Sequence, residues 1–249
     1  MTDDVKPARV GPDLAEASAS DAGSADASAR PSLRQAQIEH TEERIVAAAA
    51  ELFLAQGYVD TTLAAVAARA GVGARTVYVR FGTKAALFKR VIDVAIVGDT
   101  APVDVVGRDW MQLALTAPTA AERISAGVAA GRQIMQRTGP LFAIAQQAAA
   151  VEPAVAESWQ QGREQTYYVH RLFWTRMAED ALLDPAVDLQ WLIDTTAILG
   201  SAETYLLITR MNGWDPDTYE AWAIRTWTQL ATPPAPRSAT GRGQRPGPA

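Results

Sequence analysis

Between Thr61 and Ile92 the chain carries six basic residues, Arg69, Arg75, Arg80, Lys84, Lys89 and Arg90, and no acidic one, although its 249 residues sum to a net charge of −5. A guanidinium can grip O6 and N7 of guanine with two parallel N–H bonds. Threonine and valine methyls can pack on a thymine methyl. Cations and free N–H groups at helix starts can hold phosphates. This is recognition chemistry rather than bond making. A local basic island in an acidic chain is the electrostatic footprint of a nucleic-acid-binding unit.

Catalytic chemistry has no foothold beside it. The chain has no cysteine, which removes thiolate zinc sites, thiol nucleophiles and disulfides. No nucleophile motif, P-loop or metal-ligand spacing occurs. The pair Gly71-x-Gly73 lacks a third glycine and follows a helical pattern, so it is no dinucleotide fingerprint. The two histidines, His40 and His170, lie far apart in sequence. The expectation is therefore no enzyme, with no catalytic residue, metal or cofactor. Asp3 and Asp4 begin the chain without a signal-like apolar core, and no apolar run reaches membrane-span length. The expected setting is cytoplasmic, with no membrane contact. Twenty Arg against three Lys suggests a GC-rich bacterial genome.

The basic residues need rigid elements to aim them. Residues 1–33 are rich in Ala, Ser, Asp, Gly and Pro, and 232–249 in Pro and Gly. Such composition cannot offset ordering entropy, so both are expected to be disordered tails. The second carries Arg237, Arg242 and Arg245, and the expectation is a solvated tail rather than a DNA arm. Between the tails almost every segment has helical spacing and none has strand alternation, which predicts an all-α fold. A first helix is expected over Thr41–Gln56, capped by Thr41 and ended by Gly57. A short second helix has the apolar stripe Leu63, Val66, Ala67 and Ala70, with Thr61 or Thr62 as its cap. Gly71 supplies a tight turn, and Gly73 opens a third helix that buries Val77 and Phe81. Thr83 caps a fourth helix, with Leu87, Val91 and Val94 inward.

That is a helix-turn-helix, in which the second helix enters the major groove while the first braces it. The outward face of the reading helix would carry Ala74, Arg75, Thr76, Tyr78, Val79 and Arg80. Thr62 and Lys84 would stand at helix N-termini that suit phosphates. The run Ala70-Gly71-Val72-Gly73-Ala74-Arg75-Thr76-Val77-Tyr78-Val79-Arg80-Phe81-Gly82-Thr83-Lys84-Ala85-Ala86-Leu87-Phe88 resembles the DNA-binding domain of TetR-family regulators, as do Gly57-Tyr58 and Thr61-Thr62 before it. The likeness covers roughly Thr41 to Ile96. It implies backbone contacts from Thr62, Tyr78 and Lys84, and base or groove contacts around Ala74, Arg75, Thr76 and Val79. The chain departs from the family in three places. Gly73 stands where Ser is usual, Ala74 where Lys is frequent and Val79 where His is frequent. Arg75 and Arg80 are expected to compensate.

Further along, partial helix is expected over Val103–Leu115, then helices over Thr119–Arg137 (ended by Gly139-Pro140), Leu141–Val151, Ala154–Leu183, Pro185–Met211 and Asp217–Ala231. The expected division is therefore a DNA-binding domain at 34–100 and a helical ligand-binding and dimerisation domain at 101–231. Two reading helices about 34–36 Å apart read a two-fold, palindromic site, which calls for a homodimer. Its expected interface is on the last two helices, at Ile198, Ala202, Tyr205, Leu206, Trp222 and Thr226. The resemblance also implies a cavity in the body for a small apolar or amphipathic effector. Trp110, Met135, Phe142, Trp159, Arg163, Tyr167, His170 and Trp174 are its candidate walls, although a Trp and Met stripe at helical spacing equally describes plain core. The expected function is a dimeric repressor, released from double-stranded DNA by a small molecule. The alternative is a ligand-independent regulator or an activator controlled by a protein partner.

Overall fold

A computed structural model describes residues 33–99 and 105–232. Both expected tails lie outside the described residues, apart from Leu33 and Thr232 at their edges. The chain divides into two compact units, 1–38 and 39–249. The described part of the first is the opening of α1 (Leu33–Asp60). In the second, α1 is followed by α2 (Leu63–Ala70), α3 (Ala74–Phe81), α4 (Lys84–Val97), α5 (Asp109–Thr116), α6 (Ala120–Ala148), α7 (Pro153–Glu179), α8 (Leu189–Leu199), α9 (Ala202–Asn212) and α10 (Pro216–Leu230). No strand occurs among the described residues. The fold is all-α.

The first four helices close around Phe53, Tyr58 and Phe88, whose ring centroids lie 4.6–5.9 Å apart. Ile45, Ala49, Val66, Val77, Leu87 and Val91 are fully buried with them. Leu141, Ala145 and Ala148 of α6 and Val155 of α7 belong to the same apolar cluster, so the core of the helix-turn-helix continues into the body. A second cluster, around Trp174, Leu192 and Trp227, closes the far end.

Several boundaries differ from expectation. α1 starts at Leu33, so Thr41 lies inside it rather than capping it, and helical backbone fails at Gly57 (φ 79°, ψ −179°). Thr62 is the cap of α2, accepting from the Ala65 N–H at 3.1 Å, while buried Thr61 donates to the Gly57 carbonyl at 2.8 Å. α6 runs unbroken through Gly139-Pro140. Interior proline costs a helix about 3 kcal/mol. Burial of Leu141 and Ala145 on one side and of Met135 and Ala143 on the other overrides it. Gly139 also seats Tyr205, whose ring would lie 3.0 Å from a β-carbon there. α7 begins at Pro153, where proline at the first helical position costs no hydrogen bond, one residue before the expected start. The helix expected over Pro185–Met211 is two helices. Gly200 ends α8, and Ser201 caps α9 by accepting from the Thr204 N–H at 3.2 Å.

Candidate functional site

The turn between α2 and α3 is set by Gly71 in the left-handed region (φ 65°, ψ 37°), a conformation that a β-carbon disfavours. Its N–H and that of Val72 bond to the Ala68 and Ala67 carbonyls at 3.2 and 3.0 Å, satisfying the end of α2. Arg44 of α1 adds a clamp that sequence spacing did not reveal, donating to the Ala70 carbonyl at 2.5 Å. Val77 pins α3 to the core with no exposure. That leaves Gly73, Ala74, Arg75, Thr76, Tyr78, Val79 and Arg80 on one exposed face, with Val79 77% accessible. Gly73 caps α3 without any side-chain bond, as expected from the loss of serine.

The basic island is not a free positive surface. Arg69 pairs with Glu51 at 2.6 Å, and Lys89 with Asp93 at 2.7 Å. Glu42 takes both Arg80, on one carboxylate oxygen, and Arg90, at 2.8 Å on the other. Burial pushes the Glu42 carboxyl up, but the two guanidinium groups outweigh it and hold it below its ordinary 4.5. Arg80 is therefore committed to a structural bridge, which corrects the expectation that it compensates for lost polar contacts. Lys84 donates to the Tyr58 and Val59 carbonyls at 2.8 and 3.1 Å and sits 4.3 Å from the Tyr58 ring centre. It ties the start of α4 to the end of α1, leaving one of its three N–H donors for a phosphate. Arg75 is exposed, and among the described residues nothing engages its guanidinium. Of the six cations, it alone projects from the reading face uncommitted. The partners of Arg69, Arg80 and Arg90 lie 18 to 48 residues away, beyond any spacing rule, whereas Asp93 stands four residues after Lys89, the ordinary helical pair.

The body carries a cavity of about 1490 Å³ that is open to solvent on one side. Among the candidates, Trp110, Met135, Phe142, Trp159, Arg163, Tyr167 and His170 line it. Trp174 does not. It is fully buried in the core, with its indole N–H donating to Thr196 Oγ1 at 2.7 Å, because the helical stripe of α7 turns inward past His170. His170 directs Nδ1 at the Thr166 carbonyl at 2.9 Å, which makes that nitrogen the donor and Nε2 a bare acceptor. Nε2 is buried and unpartnered. Burial pushes the imidazole below its ordinary 6.5, with the Thr166 bond opposing weakly, so it is neutral at pH 7.

α4 connects the two regions. Its Phe88 belongs to the helix-turn-helix core, and Phe88, Ile92 and Ile96 also form cavity wall. Arg137 of α6 donates to the Ala95 and Ile96 carbonyls at 2.8 and 2.7 Å, gripping the end of α4. The Tyr58 hydroxyl faces Glu152, the cap of α7, at 3.4 Å.

Residues 45–91 match the sequence profile of the bacterial regulatory proteins of the tetR family. That match covers the helix-turn-helix alone, and the rest of the chain is similar to proteins of this family in fold. No curated protein matches it in sequence. Solved structures share the fold at low identity. A regulator of this family from Mesorhizobium loti is 16% identical, covering 77% of this chain and 95% of its own, with TM-score 0.56. NalD, the secondary repressor of the MexAB-OprM multidrug efflux pump in Pseudomonas aeruginosa, is 22% identical over 78% and 98%, with TM-score 0.57. SmeT in complex with triclosan is 16% identical over 84% and 99%, with TM-score 0.60.

The expected dimer residues scatter in the structure. Tyr205 and Leu206 are buried in the protomer itself, against Tyr219 and Met135, which corrects their place on a partner-facing surface. Ala202, Trp222 and Thr226 are half-buried, and Ile198 is 67% exposed. The exposed apolar side chains on α8 and α9 are Trp191, Ile198, Leu207 and Met211. Of these only Ile198 is among the residues expected at the interface. Among the described residues no cluster of metal-ligating side chains occurs, and no helix is long and apolar enough to cross a membrane.

Proposed function

We propose that the chain is a DNA-binding transcriptional regulator that acts as a homodimer on a palindromic operator and is released by a small-molecule effector. Residues 34–100 are the DNA-binding domain in this reading, and 101–231 the effector and dimer domain. The observation that carries it is α4, which shares one core with the reading unit and forms part of the cavity wall. Arg75 reads a base pair through its uncommitted guanidinium, with Gly73, Ala74, Thr76 and Val79 lying close on the groove. Thr62, Tyr78 and Lys84 hold phosphates. Val79 and Thr76 offer methyl contacts to thymine.

Dimerisation buries the exposed apolar residues of α8 and α9. Four large apolar side chains left in water on two neighbouring helices favour a partner surface. An effector in the cavity shifts the operator equilibrium only by its differential affinity for the two α4 positions. Moving a population from 1:99 to 99:1 requires roughly 10⁴-fold preference for the released form. The neighbours support a repressor: NalD is described as a repressor, and SmeT was solved with triclosan bound.

The test is selection of binding sites from random DNA with the purified chain, with light scattering of the protein alone and bound. A two-fold motif bound by two protomers is the expected result. A monomer at micromolar concentration, or no enriched motif, refutes it. DNA release by no compound from a cell extract would remove the effector and leave a ligand-independent regulator.

A further inference from the structure

α7 is pinned near its two ends and unsupported between them. Val155 and Trp159 pack into the apolar cluster of the helix-turn-helix, and Val169, Phe173, Trp174 and Met177 into the cluster at the far end. Residues 160–168, about two and a half turns, belong to no apolar cluster. All of them are exposed except Thr166, which is half-buried. A helix in water on every side depends on its own propensity, because no packed face holds it.

That propensity is poor here. Gly162 stands inside the helix, where glycine opens about fivefold more readily than alanine. A β-carbon at Gly162 would meet nothing within 4 Å, so no close approach calls for glycine. The Thr166 hydroxyl donates to the Gly162 carbonyl at 3.0 Å, a back-bond that weakens and bends helices. The ties from this stretch to other helices are polar. Arg163 Nε donates to Glu203 of α9 at 2.6 Å. The Tyr167 hydroxyl donates to Asp194 of α8 at 3.1 Å and accepts from Gln190 Nε2 at 2.9 Å. Exposed ties of this kind hold weakly.

The same stretch is cavity wall. Gly162, Arg163, Thr166 and Tyr167 line the cavity, as do their partners Asp194 and Glu203, so both ties bridge parts of its lining. At about 1490 Å³ the cavity exceeds the roughly 300–1,000 Å³ of an ordinary ligand pocket, which leaves room for a wall to settle inward. We propose that residues 160–168 form a strap that opens locally while the cavity is empty and closes over an occupant. This deepens the effector reading above and rests on it. Closure has a driving force, because the Tyr167 and Tyr168 rings, 38% and 43% exposed, line the cavity and gain an apolar surface to cover.

The experiment is amide hydrogen exchange, read by mass spectrometry on the intact chain, with and without N-phenyl-1-naphthylamine, a neutral apolar dye that fluoresces on leaving water. Without dye, peptides covering 160–168 should exchange on the order of a hundredfold faster than those covering 172–177. With dye at about 100 times its Kd they should slow, by up to about a hundredfold if the open strap does not hold it. Gly162→Ala should slow their dye-free exchange about fivefold and leave 172–177 unchanged. Glu203→Gln should speed it about twofold. Circular dichroism checks the fold, and Glu203→Gln serves if Gly162→Ala does not fold. Dye-free exchange of 160–168 as slow as that of 172–177 overturns the strap. Bound dye that leaves the exchange of 160–168 unchanged overturns its closure, and in both cases the effector cavity stands. If the dye does not bind, the effector cavity itself is refuted, and the strap with it.

Discussion

Glu42 offers the most direct check on how the basic island is held. Replacing it with glutamine keeps the shape, removes the charge and turns one acceptor into a donor facing guanidinium N–H groups. Three charge-assisted bonds weaken: two from Arg80 and one from Arg90. Bonds to charged groups contribute about 1.5–3 kcal/mol each when well buried. Here the carboxylate is 17% exposed and its partners 28% and 31%, so solvent screening reduces the sum. The expected loss is about 1–3 kcal/mol, or about 2–8 °C in Tm for a chain of this size. The sign with pH follows from the depressed carboxyl. Its stabilisation is present above its ordinary 4.5 and is lost as pH falls through the lower folded value. Urea midpoints of wild type and Glu42→Gln should therefore differ at pH 7 and converge below pH 4.5. The variant also releases the Arg80 guanidinium on the reading helix. Its DNA affinity should fall more steeply with salt, by about 0.9 log units per added phosphate contact. A variant as stable as wild type at pH 7, or a gap that stays constant into acid, would refute the bridge.

The remaining expectations concern single contacts. Arg75→Ala should relax base preference and cost on the order of 1–3 kcal/mol per half-site; an unchanged motif in site selection would show that Arg75 reads no base. Lys84→Ala should lower Tm, through loss of the Tyr58 and Val59 carbonyl bonds, and flatten the salt dependence of a dimer by about 1.8 log units. A lower Tm with an unchanged slope would make Lys84 a brace only. Gly200→Ala would bring a β-carbon to 2.6 Å from His170 Nε2 and should cost about 1–3 kcal/mol of overpacking. Adding His170→Ala should restore part of that loss, and failure to do so would place the strain elsewhere.

Helix existence was legible wherever apolar spacing was regular, as at Leu63, Val66, Ala67 and Ala70. The helix-turn-helix and its exposed face could be read because local rules govern them: Thr62 caps, Gly71 turns and Val77 points inward. Boundaries failed where packing overrode propensity, as at Pro140, or where a cap inside an apolar stretch starts a new helix, as at Ser201. Cavity walls were partly legible. Seven of the eight candidates line it, and Trp174 was missed because a helical stripe does not state where cavity gives way to core.

By itself, the sequence determined that α3 would show its Arg75, Thr76 and Val79 face to solvent, since caps and periodicity act within a turn or two of chain. Which charges on that face are free to act was decided only by tertiary structure. Glu42 and Glu51 reach Arg80, Arg90 and Arg69 from 18 to 48 residues away, and the Tyr58 and Val59 carbonyls reach Lys84 from 26 and 25. The same holds for Tyr205 and Leu206, apolar on any helical wheel yet spent inside the protomer. Coulomb and contact energies depend on distance in space, and a long helix that folds back on three others erases the relation between that distance and sequence separation.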